Sequence, residues 1–157
     1  MDLKFTFGGA SPDHGHAGHD HGDAPSGIPL PFSTTPITSS SSVLDVRVRR
    51  AGDALLAEAV SGDGVVYCSA EVPTADEDPA ALARAARSAL SRAVAALEGP
   101  LAESVSAVVL DLGAAGVPVL RELGIAADAA QDSAAAVDAA LQRRIGITAG
   151  TPIRLGA

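Results

Sequence analysis

The 157-residue chain has one cysteine, no tryptophan and an aromatic content of only 3%. A single cysteine cannot form an intramolecular disulfide, which excludes a secreted disulfide scaffold. Cys68 lies between Tyr67 and Ser69 with no histidine nearby in sequence. We therefore interpret it as a small buried side chain and not as a reactive thiol. The core must consist of alanine, valine, leucine and isoleucine, and such a core gains stability from a partner or an oligomer that buries further surface.

Basic residues are also scarce, because 11 Lys and Arg stand against 19 Asp and Glu, for a net charge of −8. This balance argues against a nucleic-acid partner, since phosphate contacts need a basic surface. The short cluster Arg47, Arg49 and Arg50 is typical of a solvated strand face. No apolar run reaches the length of a membrane span, and the first residues lack the pattern of a signal peptide. We predict a cytoplasmic location.

Residues 1–42 differ in composition from the rest and predict an extended arm. Leu3, Phe5 and Phe7 alternate with polar residues, which is typical of a short strand or an anchoring tip. The proline and serine residues that follow exclude a helix or a central strand. They are Pro25, Pro29, Pro31, Pro36, Ser39, Ser40, Ser41 and Ser42. Because apolar residues lie between them, we expect the arm to become ordered along a groove, on its own domain or on another chain.

All four histidines lie in one glycine-rich stretch of the arm. The candidate metal ligands are His14, His16, His19 and His21, with the carboxylates Asp13, Asp20 and Asp23 beside them. Neutral imidazoles bind divalent metals, and these short spacings suit a flexible chelating loop better than a preformed structural zinc site. We expect Zn²⁺ or Ni²⁺ to bind, while Co²⁺ and Cu²⁺ are also chemically acceptable. The alternative is a polar spacer with no metal role.

The remaining residues, 43–157, predict alternating strands and helices. The predicted strands are 43–50, 54–60, 65–72, 105–112 and a last edge strand at 153–155, and the predicted helices are 79–98, 117–123 and 127–145. The first helix has the clearest limits, because Asp78 is a good N-cap before a proline, and Gly99 with Pro100 ends it. A right-handed crossover through this helix places the strand at 105–112 parallel to the first strand.

Several stretches carry a resemblance to a known family: the meander at 43–72, the helix entry at 76–82, the strand at 105–110 and the loop at 147–153. Together they resemble the N-terminal lobe of FGGY carbohydrate kinases, in the ribonuclease-H-like actin and sugar-kinase superfamily. Residues 72–79 are also similar to hydantoinase-type proteins of that superfamily. The resemblance implies an α/β fold, with a small ribonuclease-H-like mixed sheet of a three-strand meander, a helix and a parallel strand, flanked by helices and preceded by the arm.

The resemblance also implies a nucleotide site, from which this chain departs. Asp45 matches the aspartate of the family's Asp-x-Gly-Thr phosphate loop, but Arg47 follows, with no glycine to let backbone N–H groups approach a phosphate. If their strands are adjacent, Asp45 and Asp111 are expected to lie close together and to hold Mg²⁺ as a cofactor-binding pair. The alternative is that both aspartates are ordinary strand-end residues.

These observations predict a non-enzymatic accessory or scaffold subunit. Its arm docks on a larger protein partner or takes part in a homo-oligomer, and its histidine tract binds a divalent metal. The alternative is a minimal ATP-binding relative of sugar kinases that acts as a dimer, with ATP and Mg²⁺ at Asp45 and Asp111. The missing phosphate-loop glycine makes ATP with Mg²⁺ the less expected cofactor.

Overall fold

The computed structural model describes residues 39–126 and 135–156. The arm up to residue 38, which contains the histidine tract, lies outside this part of the chain, as do residues 127–134.

The described residues form six strands, three α-helices and two short 3₁₀-helices. The strands are β1 (Leu44–Ala51), β2 (Ala54–Ser61), β3 (Val66–Pro73), β4 (Ala107–Asp111), β5 (Ala135–Ala136) and β6 (Pro152–Leu155). The α-helices are α1 (Pro79–Ala95), α2 (Gly116–Glu122) and α3 (Ala139–Ile145), and the 3₁₀-helices are Gly99–Ser104 and Gly113–Ala115.

The strands form one mixed sheet in the order β3-β2-β1-β4-β6-β5. β1, β2 and β3 are antiparallel neighbours, whereas β4 runs parallel to β1 and β6 runs parallel to β4. The predicted α/β fold is therefore confirmed, including the three-strand meander, the crossover helix and the parallel strand that follows it. The strand limits at 43–50, 54–60 and 65–72 were predicted to within about one residue.

Side chains along β1 alternate between a buried and an exposed face, as its sequence predicts. Val46 and Val48 are fully buried, whereas Arg47 and Arg49 are exposed. α1 contacts β1, β2 and β3, and it also contacts α2 and α3. The core is built from aliphatic and alanine side chains of these elements, in agreement with the shortage of aromatic residues.

The start of α1 is the predicted one, because the Asp78 carboxylate accepts a hydrogen bond from the Ala81 N–H at 3.2 Å and Pro79 is the first helical residue. The helix ends at Ala95, with Ala96 as its C-cap, slightly earlier than predicted. The residues from Gly99, which has a positive φ of 57°, form a 3₁₀-helix that leads to β4.

Two predictions near the end of the chain are wrong. The helix predicted at 127–145 begins too early, since Ala135–Ala136 is a strand and α3 covers only Ala139–Ile145, although it ends at Ile145 as predicted, with Gly146 as its left-handed C-cap. Asp138, which falls inside the predicted helix, is the N-cap of α3 and accepts a hydrogen bond from the Leu141 N–H at 2.6 Å. The strand predicted at 153–155 is not at the sheet edge, because β6 pairs with β4 on one side and β5 on the other.

Candidate functional site

The turn between β2 and β3 holds the serine residues through which the arm joins the sheet. Asp63 lies in this turn and accepts hydrogen bonds from the Ser39 hydroxyl at 2.6 Å and from the Ser40 N–H at 3.1 Å. The Ser61 hydroxyl also donates to Asp63, and the Ser39 N–H donates to the Tyr67 hydroxyl at 3.2 Å. We call these contacts of Asp63 with Ser39, Ser40 and Ser61 the serine clasp. They fix the point from which the arm leaves the sheet.

The serine clasp stabilises the ionised form of Asp63. The hydrogen bonds from the Ser39 and Ser61 side chains hold the pKa of the Asp63 carboxyl well below its usual range; burial opposes them, and the Ser40 backbone N–H makes a smaller contribution in the same direction as the two serine side chains. This cluster was not predicted from the sequence. A signal for it was present, since Gly62-Asp63-Gly64 is a turn in which Ser61 offers Asp63 only one side-chain donor, and the serine run at 39–42 offers several more.

The predicted metal site lies outside the described residues. His14, His16, His19 and His21, with Asp13, Asp20 and Asp23, all precede residue 39. Within the described ranges, 39–126 and 135–156, no group of three or more His, Cys, Asp or Glu side chains is placed to hold a metal ion. Metal binding by the histidine tract therefore stays a prediction.

The structure does not bring Asp45 and Asp111 together, although β1 and β4 are adjacent. The parallel register places Asp45 opposite Ala107 and Asp111 opposite Arg49. The two aspartates are thus four positions apart along the strands, or about 13 Å at the usual rise of a strand. The expectation that adjacent strands would place the two aspartates close together is wrong, because the register of β1 and β4 offsets them along the strands. That register could not be predicted from the sequence. One Mg²⁺ ion cannot contact both carboxylates at this separation.

Asp45 and Asp111 also differ in their surroundings. Asp45 is half-buried, and its Oδ1 has no solvent contact and no hydrogen-bond partner among the described residues. Asp111 is exposed at the end of β4, where the chain at Gly156 passes close to it. The buried oxygen of Asp45 is a destabilising feature, because a buried acceptor without a partner loses its hydration.

The side chain of Cys68 has a structural role. Its Sγ lies 3.1 Å from the carbonyl oxygen of Ala93 in α1 and donates a hydrogen bond to it. Burial raises the pKa of the Cys68 thiol, with a smaller opposing effect from the backbone at Ala59. The thiol therefore stays protonated and is a poor nucleophile, in agreement with the interpretation from sequence.

The charged face of the sheet contains both signs. On the exposed face the Arg49 Nε donates to Glu58 Oε2 at 3.0 Å across β1 and β2, whereas Arg50, whose side chain lies on the other face near the end of β1, contacts Glu77 at 3.0 Å. The predicted solvated character of the arginine cluster is thus confirmed. Because carboxylates lie beside the arginines, this face has no continuous basic surface for phosphates.

A shallow depression of about 310 Å³ lies beside the outer edge of the sheet, between the end of β3 and α1. Its lining includes Val72, Pro73, Asp76, Ala81, Arg84 and Ser88. The depression is open to solvent, and most of its lining side chains are short.

No family model, curated protein or solved structure matches this chain. The resemblance to sugar kinases therefore stays a prediction. None of the helices formed by the described residues is both long and apolar enough to cross a lipid bilayer.

Proposed function

We propose that this chain is a non-enzymatic accessory or scaffold subunit of the cytoplasm. In this proposal the arm docks on a larger protein partner, and the histidine tract within the arm binds a divalent metal, Zn²⁺ or Ni²⁺. The sheet and its helices serve as the platform that carries the arm.

The serine clasp is the observation that supports the platform role. Asp63 accepts hydrogen bonds from Ser39, Ser40 and Ser61, and Tyr67 accepts a further one from the Ser39 backbone. The arm therefore starts from a fixed point at one end of β2 and β3. The 38 residues before this point can span up to about 130 Å when extended, so an anchored arm reaches partners far from the sheet.

Composition supports a binding role for the arm itself. Apolar residues are spread through it at positions where a simple linker would be polar, including Leu3, Phe5, Phe7, Leu30 and Phe32. Proline residues limit the conformations of the free arm, which lowers the entropy lost on binding in an extended form.

The docking role is tested by removing residues 1–38, a cut that keeps the serine clasp. We expect the truncated chain to lose its partner in affinity purification from the native host, as measured by quantitative mass spectrometry. A full-length variant with Leu3→Ser, Phe5→Ser and Phe7→Ser should weaken the same association, since it removes apolar contacts without shortening the arm. Lys4→Ser with Thr6→Ser is the matched control. Unchanged co-purification of every partner with the truncated chain would rule out docking by the arm.

The metal role is tested by titration calorimetry of the full-length chain with Zn²⁺ and with Ni²⁺. We expect binding by the wild type and its loss in a variant with all four histidines changed to alanine, because imidazole is the main donor in the tract. A variant with Asp13, Asp20 and Asp23 changed to asparagine should retain most of the affinity. Equal metal affinity of the wild type and the four-histidine variant would contradict the proposal.

The alternative function, a minimal ATP-binding protein acting as a dimer, has one observation in its favour. The meander β1 to β3, the helix α1 and the parallel strand β4 form the arrangement that the resemblance to sugar kinases implies. The register of β1 and β4 weighs against it, because Asp45 and Asp111 are too far apart to share one Mg²⁺ ion. The accessory subunit is therefore the proposal that we prefer.

A further inference from the structure

The sheet ends at β3, and no strand among residues 39–126 and 135–156 pairs with the outer edge of β3. β3 contains eight residues, and Glu71 is its only charged residue. An unpaired edge of this length is a template for a further strand. We propose that β3 pairs with β3 of a second copy of the chain, antiparallel and about a two-fold axis, so that two sheets join into one. This proposal does not depend on the arm or on its metal.

The ladder between β2 and β3 shows which backbone groups face outward. The Thr74 N–H donates to the carbonyl oxygen of Asp53 at 2.8 Å, directly opposite. Because inward and outward backbone groups alternate along an antiparallel strand, those of Ser69 and Glu71 point away from β2. Pro73 also occupies an outward position, where its missing N–H removes no hydrogen bond to β2. Ser69 and Glu71 of each copy thus present backbone donors and acceptors that pair with no other described residue.

Charge and strand regularity select the register of the pairing. A two-fold axis at Ala70 places Ser69 of each copy opposite Glu71 of the other, so that these residues can exchange backbone hydrogen bonds. An axis at Glu71 would place two carboxylates directly opposite each other, which is unfavourable. An axis at Ser69 would place Glu71 opposite Tyr67, where the register of β2 and β3 shifts at a bulge. The register about Ala70 is therefore the favoured one.

Side chains on the helix-facing side of β3 are compatible with this pairing. Cys68, Ala70 and Val72 pack against the core without large or charged groups. In the proposed register Val72 lies opposite Cys68 of the second copy, and Ala70 lies opposite its own equivalent. The open depression between β3 and α1 lies beside the end of this edge, and most of its lining side chains are short, with Asp76 and Arg84 as the charged ones.

A pair of opposite charge substitutions at Ser69 tests the register. In the full-length chain, Ser69→Glu places a carboxylate opposite Glu71 of the other copy, and the two-fold axis repeats this contact once in each direction. Ser69→Lys places an ammonium group at the same two positions. We expect sedimentation equilibrium to show a dimer whose dissociation constant rises roughly 2- to 30-fold in Ser69→Glu and falls by a similar factor in Ser69→Lys. Equal dissociation constants for the two variants, or a monomeric wild type at the highest soluble concentration, would overturn the proposal.

The control must separate the second copy from the neighbouring strand, because Ser69 also lies opposite Glu58 of β2. Arg47 lies opposite Glu58 from the other side, on β1, and Arg47→Gln changes the net charge by the same −1 as Ser69→Glu. We expect Arg47→Gln, which adds only to the long-range repulsion, to raise the dissociation constant much less than Ser69→Glu. Ser69→Pro removes an outward N–H without removing a bond to β2, and it should abolish the dimer while the fold, followed by circular dichroism, is kept.

Amide hydrogen exchange of the full-length chain identifies what occupies the edge. We expect the amides of Ser69 and Glu71 to exchange rapidly in dilute protein and slowly at concentrations where the dimer forms, while the amides of Ala70 and Val72 are slow at both. Slow exchange at Ser69 and Glu71 in a monomeric chain would mean that another segment of the same chain covers the edge, which would overturn the proposal.

Discussion

The serine clasp shows how one carboxylate can fix the start of a domain. Asp63 is on the surface, yet it accepts hydrogen bonds from three serine residues that approach from both sides of the turn. Hydrogen bonds of this kind favour the ionised carboxylate, and they therefore couple the position of the arm to the charge of one side chain. Its neighbour Gly62 leaves the space for this approach, because a Cβ there would lie 2.5 Å from the Ser41 hydroxyl oxygen.

This coupling predicts a pH-dependent contribution of Asp63 to stability. Because its folded pKa lies below the ordinary value of 3.8, the contribution is complete above that value and is lost as the pH falls through the folded pKa. We expect Asp63→Asn to lower the urea midpoint of unfolding at neutral pH. The difference from the wild type should shrink as the pH is lowered below the ordinary aspartate value, as followed by circular dichroism.

Asp53→Asn is the matched control for this prediction, because Asp53 is an exposed aspartate in the other hairpin turn, between β1 and β2. This control variant should have a smaller effect at neutral pH. A difference between Asp63→Asn and the wild type that stays constant, or grows, on acidification would show that the charge of Asp63 is not what stabilises the clasp.

At the scale of elements, local signals identified the first half of the domain well. The strands and α1 are bounded by residues with strong local preferences, such as Asp78 with Pro79 at the start of α1 and Gly52 and Gly64 in the hairpin turns. These preferences act within a few residues, so they are visible in the sequence. The parallel position of β4 followed from the handedness of the crossover and not from any single residue.

The structure of the elements after α2, namely β5, α3 and β6, depends on tertiary contacts that have no local signal in the sequence. Alanine has a high helix propensity, yet Ala135 and Ala136 pair with β6, because tertiary contacts override a preference of a few tenths of a kcal/mol. The Val137 N–H donates to the carbonyl oxygen of Thr151 at 2.9 Å, which continues this pairing. Asp138 then caps a much shorter helix. The helical spacing of Ala130, Ala134, Val137, Leu141 and Ile145 predicted one long helix, but only its last part, after the cap at Asp138, is helical among the described residues.

Register limited the prediction of the candidate site in the same way. The separation of Asp45 and Asp111 depends on which residues of β1 and β4 are opposite each other, and that is set by packing of the whole sheet. The close approach of Gly156 to β4 is a second example, since a Cβ there would lie 2.9 Å from the Cα of Asp111. Neither fact has a local signal in the sequence.

At the scale of the whole molecule, net charge should control association of two copies. Each copy has a net charge of −8, so a dimer brings together two strongly acidic bodies. The proposed pairing of β3 with β3 of the second copy contains no pair of opposite charges, because Glu71 of each copy lies opposite Ser69 of the other. Its strength therefore comes from backbone hydrogen bonds and apolar contacts, and the long-range electrostatic contribution is repulsive.

Salt should consequently tighten the dimer. The Debye length falls from about 10 Å at 0.1 M ionic strength to about 3 Å at 1 M, which screens repulsion between the two copies while backbone hydrogen bonds are little affected. We expect the dissociation constant from sedimentation equilibrium to decrease as NaCl is raised over this range. Ser69→Lys should show a weaker decrease or a reversal, because salt also screens the attraction that this variant adds. A wild-type dimer that dissociates as NaCl is raised would mean that oppositely charged groups hold the copies together, which the β3 edge does not provide.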